Sequence, residues 1–397
     1  MNNEYRAVEM AARESYGKLL AFLSARTQDI ALAENALAGA LEKALTYWVE
    51  NGIPKSPEAW LMTVAKNRIT DRQRQLAKFP EESEIQEECE MDQHENTLPD
   101  KRLELMMVCA HPAISSELHT PLMLQTVLGI EAKVIARLFM YSPAALTKKL
   151  VRAKAKIRHS GIPFAIPDPS HLEERQNAIF EAIYALHTYD WLDPNDNFGE
   201  EALYLAYMLT GLMPENPEAK GLAALIALSQ SRCKARIVNN VLVPVDQQDM
   251  ALWDDTLSQY AHRKLKDAYH LNEVGRFQIE AAIQSIHQAR KQTNKTDWKA
   301  LSQLYPALLK YAPSAGAIVA NIVVLAHVLG FKEALEQLDK VEVHIGSGFQ
   351  PLWAARAEFH AQTGNKEKAL VSYEKAMSLA TDTPTIRFLE SKRNALT

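Results

Sequence analysis

The chain has 397 residues and a formal net charge of −5, with 44 Lys and Arg against 49 Asp and Glu. Three cysteines do not make a disulfide framework, and the lack of a long apolar run or signal-peptide pattern points to a cytoplasmic protein with no membrane span. Ala, Leu, Glu, Lys and Gln dominate, Gly is scarce and β-branched clusters are few, so the chain reads as all-α with length for two or three domains.

Residues 5–50 carry apolar side chains at helical spacing and read as two helices, with Ala33, Ala36, Leu37, Ala40, Leu41 and Leu45 on the second. Asn51-Gly52-Ile53-Pro54 ends them, and a third helix follows from Pro57 to Gln75. The stretch Glu81 to Glu95 has eight carboxylates and no Lys or Arg, so self-repulsion predicts an extended linker. Helical periodicity resumes at Lys101 and runs to His159, where Gly161, Pro163, Pro167 and Pro169 close a second module. These breaks predict a first domain over 1–80, an acidic linker over 81–101, a second domain over 102–162, a Pro-containing linker over 163–180 and a helical domain over 181–397.

That last region holds a repeat. Gly364, Ala369, Tyr373 and Ala376 sit at tetratricopeptide spacing, and steps of 34 residues lead back to Gly330, Ala334 and Leu338, then to Thr296, Ala300 and Leu304. Such units stack helix pairs around a shared core. Trp298 and Trp353 fall inside them and read as packing residues.

Two helices carry candidate contacts to DNA. On the third helix, Trp60, Leu61, Val64 and Ala65 share one side, with Ile69 on its flank. Thr63, Lys66, Asn67, Thr70 and Arg74 gather on the other. Lys66 and Arg74 suit phosphates, and Asn67 suits a base edge. Read alone, this face is more readily a solvated polar surface. Arg68 projects from the apolar side, and Asp71 three residues on is its expected ion-pair partner, with Asp29 or Glu34 as a second. Further along, Ser142 and Pro143 open a helix whose stripe is Leu146, Leu150, Ala153 and Ile157, and six Lys or Arg fall between Lys148 and Arg158 with no acid. The short helix before it, Ile130 to Tyr141, completes a helix-turn-helix pattern without the glycine often found in its turn. The first turns of the second helix in such a unit reach base edges, which points to Ala144, Ala145, Thr147 and Lys148, with Lys149, Arg152, Lys154 and Lys156 on phosphates.

PEAWLMTVAKNRITDRQRQ (Pro57 to Gln75) resembles the promoter-melting segment of extracytoplasmic-function sigma factors, and RTQDIALAENALAGALEKAL (Arg26 to Leu45) resembles the helix before it. The segment from Met106 to Phe164 is similar to their second conserved domain, and GRFQIEAAIQSIH, TDWKALSQLY and RFLESKR resemble the subgroup with a tetratricopeptide-like tail. The resemblance implies a dissociable initiation subunit that binds the clamp of core RNA polymerase and promoter DNA. It implies that Asp29, Glu34 and Leu37 lie near the polymerase-binding surface. Asn67 would serve the pocket for a flipped base of the −10 element, with Trp60 and its neighbours giving contact area. The second domain would read the −35 element, and the tail would regulate activity through an intramolecular or protein partner.

No enzymatic signature stands out: there is no phosphate loop, HExxH, nucleophile elbow or dinucleotide fingerprint, and no cofactor is expected. Cys89, His94, Cys109 and His111 do not have the spacing of a closed zinc site, so no metal is expected either. The competing reading is a helical scaffold that carries a helix-turn-helix but does not engage polymerase.

Overall fold

The computed structural model describes residues 3–76, 99–190 and 198–396. Most of the expected acidic linker, with Cys89 and His94, lies outside the described residues. The protein is all-α: among the described residues the one β-ladder pairs Ile237–Val238 with Val241–Leu242. The chain divides into two compact units, Met1–Tyr189 and Asp190–Thr397.

In the first unit, α1 (Asn3–Thr27), α2 (Ile30–Asn51) and α3 (Pro57–Leu76) form a three-helix core. The Asp29 carboxylate caps α2 by accepting from the Leu32 N–H at 3.2 Å. Gly52, at φ 84°, ends it. Leu19, Leu20, Leu23, Ala33, Leu37, Ala40 and Trp48 interlock with Leu61, Val64, Ala65 and Ile69. Each fully buried leucine among them contributes roughly 2 kcal/mol. The short α4 (Arg102–Cys109) is buried on nearly all sides and packs on α1. After it come α5 (His119–Thr126), α6 (Ala132–Leu138) and α7 (Pro143–His159). The α1 backbone passes so close to the end of α5 that a methyl group on Gly17 would overlap the Val127 carbonyl oxygen.

The unit closes with α8 (Pro169–Asp190), whose Arg175 donates to the Met107 carbonyl at 2.9 Å. A linker was expected to run to residue 180. Instead, Pro169 opens a helix, a position where its fixed φ and missing N–H cost nothing.

The second unit begins with α9 (Phe198–Leu212) and α10 (Pro217–Gln230), the latter buried along most of its length. A segment from Ser231 to Asp254 then leaves the helical pattern. It holds the one-turn α11 (Cys233–Arg236), the strands β1 (Ile237–Val238) and β2 (Val241–Leu242), and a 3₁₀ turn at Met250–Leu252. Asn239 and Asn240, at φ 52° and 60°, supply the left-handed pair that a two-residue hairpin turn needs. The insert is pinned at its ends, with the Asp254 N–H on the Ser231 carbonyl at 2.8 Å and the Val243 N–H on the Arg236 carbonyl at 2.9 Å.

Helices α12 (Asp255–Tyr269) and α13 (Arg276–Gln288) pack on α10, and α14 (Arg290–Thr293) is a single turn. The helix pairs then follow: α15 (Trp298–Tyr311), α16 (Ala315–Leu329), α17 (Phe331–Ile345), α18 (Gln350–Gln362), α19 (Lys366–Leu379) and α20 (Thr383–Asn394). Each packs on its predecessor, and α16 also packs on α18, as in stacked hairpins. Gly330 (φ 107°) and Gly364 (φ 76°) make the corresponding turns, and Ala334, Leu338, Ala369, Tyr373 and Ala376 are buried at the spacing read from the sequence. The earliest unit departs from that spacing: Leu301 and Leu308 are buried, while Ala300 and Leu304 are half-buried. Trp298 packs with the Ile279, Leu301 and Leu308 cluster and stacks on His327 at 3.7 Å, and Trp353 packs between two clusters. The last helix, α20, comes back to lie against β2.

Candidate nucleic-acid interface

The α6–α7 pair has the form of a helix-turn-helix. Ile135 and Ala136 of α6 are fully buried, as are Leu146 and Ile157 of α7 within about 1%. The connection closes with the Tyr141 N–H on the Ala136 carbonyl at 2.8 Å. Met140 takes the left-handed conformation (φ 55°) where a glycine is usual, and its side chain is 95% exposed. Ser142 Oγ caps α7 by accepting from the Ala145 N–H at 3.3 Å.

This packing leaves Ala144, Ala145, Thr147, Lys148, Arg152 and Lys156 exposed along one side of α7. Lys149 is half-exposed. It pairs with Glu117 at 2.6 Å and lies 4.9 Å from the Tyr141 ring centre. The pair holds the Lys149 ammonium in its charged form and keeps the Glu117 carboxyl below its ordinary range.

Lys154 corrects the sequence reading. It is buried, and its ammonium meets the Glu34 carboxylate of α2 at 2.5 Å. It therefore cannot reach a phosphate in this arrangement. One turn on, Arg158 pairs with Asp29 at 3.2 Å. On the α7 wheel, Lys154 and Arg158 share a shoulder that lies away from Lys148, Arg152 and Lys156. So α7 is fastened to α2 by one side while its basic outer side stays open.

Asp29 and Glu34 are thus both occupied, Asp29 twice over because it also caps α2. Leu37, expected near a partner-binding surface, is fully buried in the α1–α2–α3 core. The apolar spacing with Ala33, Ala36 and Ala40 prevails there, and a side chain at that place touches only its own domain.

On α3, Asn67, Thr70 and Arg74 are exposed, and the Asn67 amide has no partner among the described residues. Thr70 Oγ1 donates to the Lys66 carbonyl at 3.1 Å. The Lys66 ammonium lies over the Phe22 ring, 5.3 Å from its centre, and the residue is half-buried. Trp60 is half-buried, stacked on Tyr47 and edge-on to Trp48, each at 5.5 Å. Most of its surface is therefore committed to the fold.

The expected Arg68–Asp71 ion pair is not formed. Arg68 is exposed, and its guanidinium lies against Gly39 of α2, where the missing side chain makes room. Together with Leu32, Asn35, Ala36, Asp71 and Arg72 it lines a shallow cleft between α2 and α3.

Cys109 is fully buried, and burial pushes its thiol up to about 12 despite a contact with Thr126 at 3.5 Å. Among the described residues no group of three or more His, Cys, Asp or Glu is arranged to hold a metal ion, and no helix is long and apolar enough to cross a membrane.

Residues 175–269 match a family of unknown function (DUF6596). The match runs from α8 through the Ser231–Asp254 insert to the end of α12. Over 409 aligned residues the chain is 29% identical to the uncharacterized protein R00370 of Rhizobium meliloti (strain 1021), covering 98% of this chain and 95% of the relative. No solved structure matches the chain.

Proposed function

We propose that the protein is a sigma factor of the extracytoplasmic-function type. In this reading it binds core RNA polymerase in the cytoplasm, directs promoter-specific initiation and carries no catalysis of its own. The observation that carries the reading is the face of α7: four small or basic residues in its first turns, then Arg152 and Lys156, all exposed on a capped helix whose opposite stripe is buried. Such a face suits a major groove, with Ala144, Ala145, Thr147 and Lys148 toward base edges. The exposed Asn67, Thr70 and Arg74 on α3 suit the unpaired strand of an opened promoter.

The tie between α7 and α2 then has a meaning. Asp29 and Glu34 are the acids that would meet the polymerase clamp, and here they are neutralised by Lys154 and Arg158. Engaging polymerase would release them, and the freed α7 would reach a separate promoter element. The tetratricopeptide-like unit regulates that change.

The test is reconstitution. Core polymerase with the full-length protein should start transcripts at discrete sites on genomic templates, and α7 variants should abolish them. If active core yields no specific transcript, and the protein captures other partners without polymerase subunits, it is instead a scaffold.

A further inference from the structure

In the second unit two buried arginines have no carboxylate partner among the described residues. Arg232, at the end of α10, is 5% exposed, and Arg290, at the start of α14, is 9% exposed. Neither makes an ion pair with any described carboxylate. Arg290 donates from both Nη atoms to main-chain carbonyls of the insert, Val245 and Asp246, each at 2.5 Å. Arg232 donates one Nη to the Gln284 side-chain oxygen, and its other Nη has no partner. Arg236 is a third buried guanidinium close by.

The acids of the neighbourhood are engaged elsewhere. Asp254 caps α12 through the Thr256 and Leu257 N–H groups, Asp249 accepts from Ala251, and Asp255 pairs with Lys291. Asp246 offers its carbonyl to Arg290, and its carboxylate acts on His327.

Two further neutral side chains of this region hold unpartnered buried N–H or ring-nitrogen atoms. Trp253 lies with its ring 5.9 Å from the Arg232 guanidinium, and its buried Nε1 has no partner. Burial, then the charges of Arg232 and Arg290, push His287 down to about 4, so it stays uncharged, and its Nδ1 is also unpartnered. Burial and the neighbouring Arg236 and Arg290 push Arg232 itself down to about 10. The unpaired guanidinium ions of Arg232 and Arg290 and the idle N–H donors beside them are costly to the fold when buried, and an anion offsets that cost.

We propose that Arg232 and Arg290, beneath the Ser231–Asp254 insert, form a binding site for the oxyanion group, phosphoryl or carboxylate, of a small ligand. Arg232 Nη1 and Trp253 Nε1 are the donors in waiting, and the insert is the cover. An oxyanion would accept from Arg232 Nη1 and Trp253 Nε1, with the charge of Arg290, held on the Val245 and Asp246 carbonyls, close by. The site lies partly within the DUF6596 match and does not depend on the sigma-factor reading.

The test is a thermal melt of the full-length protein titrated with inorganic phosphate or succinate against chloride at matched ionic strength. Ligand at ten times its Kd should raise the Tm of the unit that holds the site by about 3–6 °C, in a saturable way. Arg232→Gln should lose that rise. Phosphate or succinate should also change tryptophan emission in the native protein, and Trp253→Phe should abolish that change and reduce the thermal shift, because it removes one of the two donors. A response to phosphate alone marks a phosphoryl ligand, and one to succinate alone a carboxylate. No saturable shift with either anion, or an undiminished shift in Arg232→Gln, overturns the site. If Arg232→Gln does not fold, the Trp253→Phe comparison decides, and an emission change that survives it overturns the site equally.

Discussion

Lys154→Ala separates the two sides of α7. The Lys154 side chain is 8% exposed and that of Glu34 22%. Truncating one partner of a buried pair costs about 3–5 kcal/mol, whereas a fully exposed pair contributes about 0–1. The exposures place this pair between those limits, so the loss is about 2 kcal/mol. The second tie, Arg158–Asp29, survives the substitution, but its arginine is 52% exposed and it contributes only about 0.5 kcal/mol. At tenfold per 1.4 kcal/mol, the ratio of released to fastened α7 rises about 30-fold. If polymerase engages only the released form, its apparent Kd falls by that factor. Promoter DNA alone should bind with unchanged affinity, because Lys148, Arg152 and Lys156 are already exposed. Surface plasmon resonance with immobilised core polymerase, beside anisotropy with a labelled promoter fragment, measures both. Amide exchange along α2 and α7 reports the release itself. Unchanged polymerase affinity together with unchanged exchange would refute the reasoning, as would a gain in DNA affinity with none for polymerase.

Arg152→Ala should weaken DNA binding across sequences and reduce the slope of log K against log salt by about one, read from titrations at several salt concentrations. Asn67→Ala removes an exposed amide, so its melting free energy should stay within about 0.5 kcal/mol of the parent while open-complex formation, followed by permanganate footprinting, falls sharply. Gly17→Ala forces a methyl against the Val127 carbonyl, which is backbone and cannot swing aside; the first unit should lose about 2–3 kcal/mol in denaturant unfolding. The same change at Gly39 meets only the end of the exposed Arg68 side chain and should cost far less. His287 has its folded pKa lowered to about 4, so the unfolded chain binds the extra proton first. Stability of the second unit should therefore be full above about pH 6.5 and decline toward pH 4, by up to about 3 kcal/mol, and His287→Asn should flatten that limb of the urea-midpoint profile.

Local patterns carried the helices well. The α7 cap, its apolar stripe and the tail spacing from Gly330 to Ala376 each needed only neighbours within one or two turns. Nothing on its own helix marks Lys154 for burial. Its partner, Glu34, is distant in sequence and meets it only once two domains pack. Arg158 was passed over for the same reason. Arg68 was assigned a neighbour at i+3, yet the space it occupies is set by Gly39 on another helix. For Leu37 the periodicity and the resemblance pointed to different places, and burial follows the periodicity. The hairpin is legible in Ile237-Val238-Asn239-Asn240-Val241-Leu242, two apolar pairs with three β-branched residues around a two-residue Asn turn, inside a segment whose surroundings read as helical. The buried arginines had no sequence signature, since a basic pair near a helix end usually faces solvent.

The return of α20 to β2 changes what kind of object the second unit is. A row of helix pairs normally frays from its free end, and its last member can be trimmed with only local loss. Here α20 is a clasp on a strand of the same insert whose Val245 and Asp246 carbonyls hold Arg290. Displacing the insert would strain that clasp, and loosening the clasp would free the insert, so α20 would register what happens at Arg290.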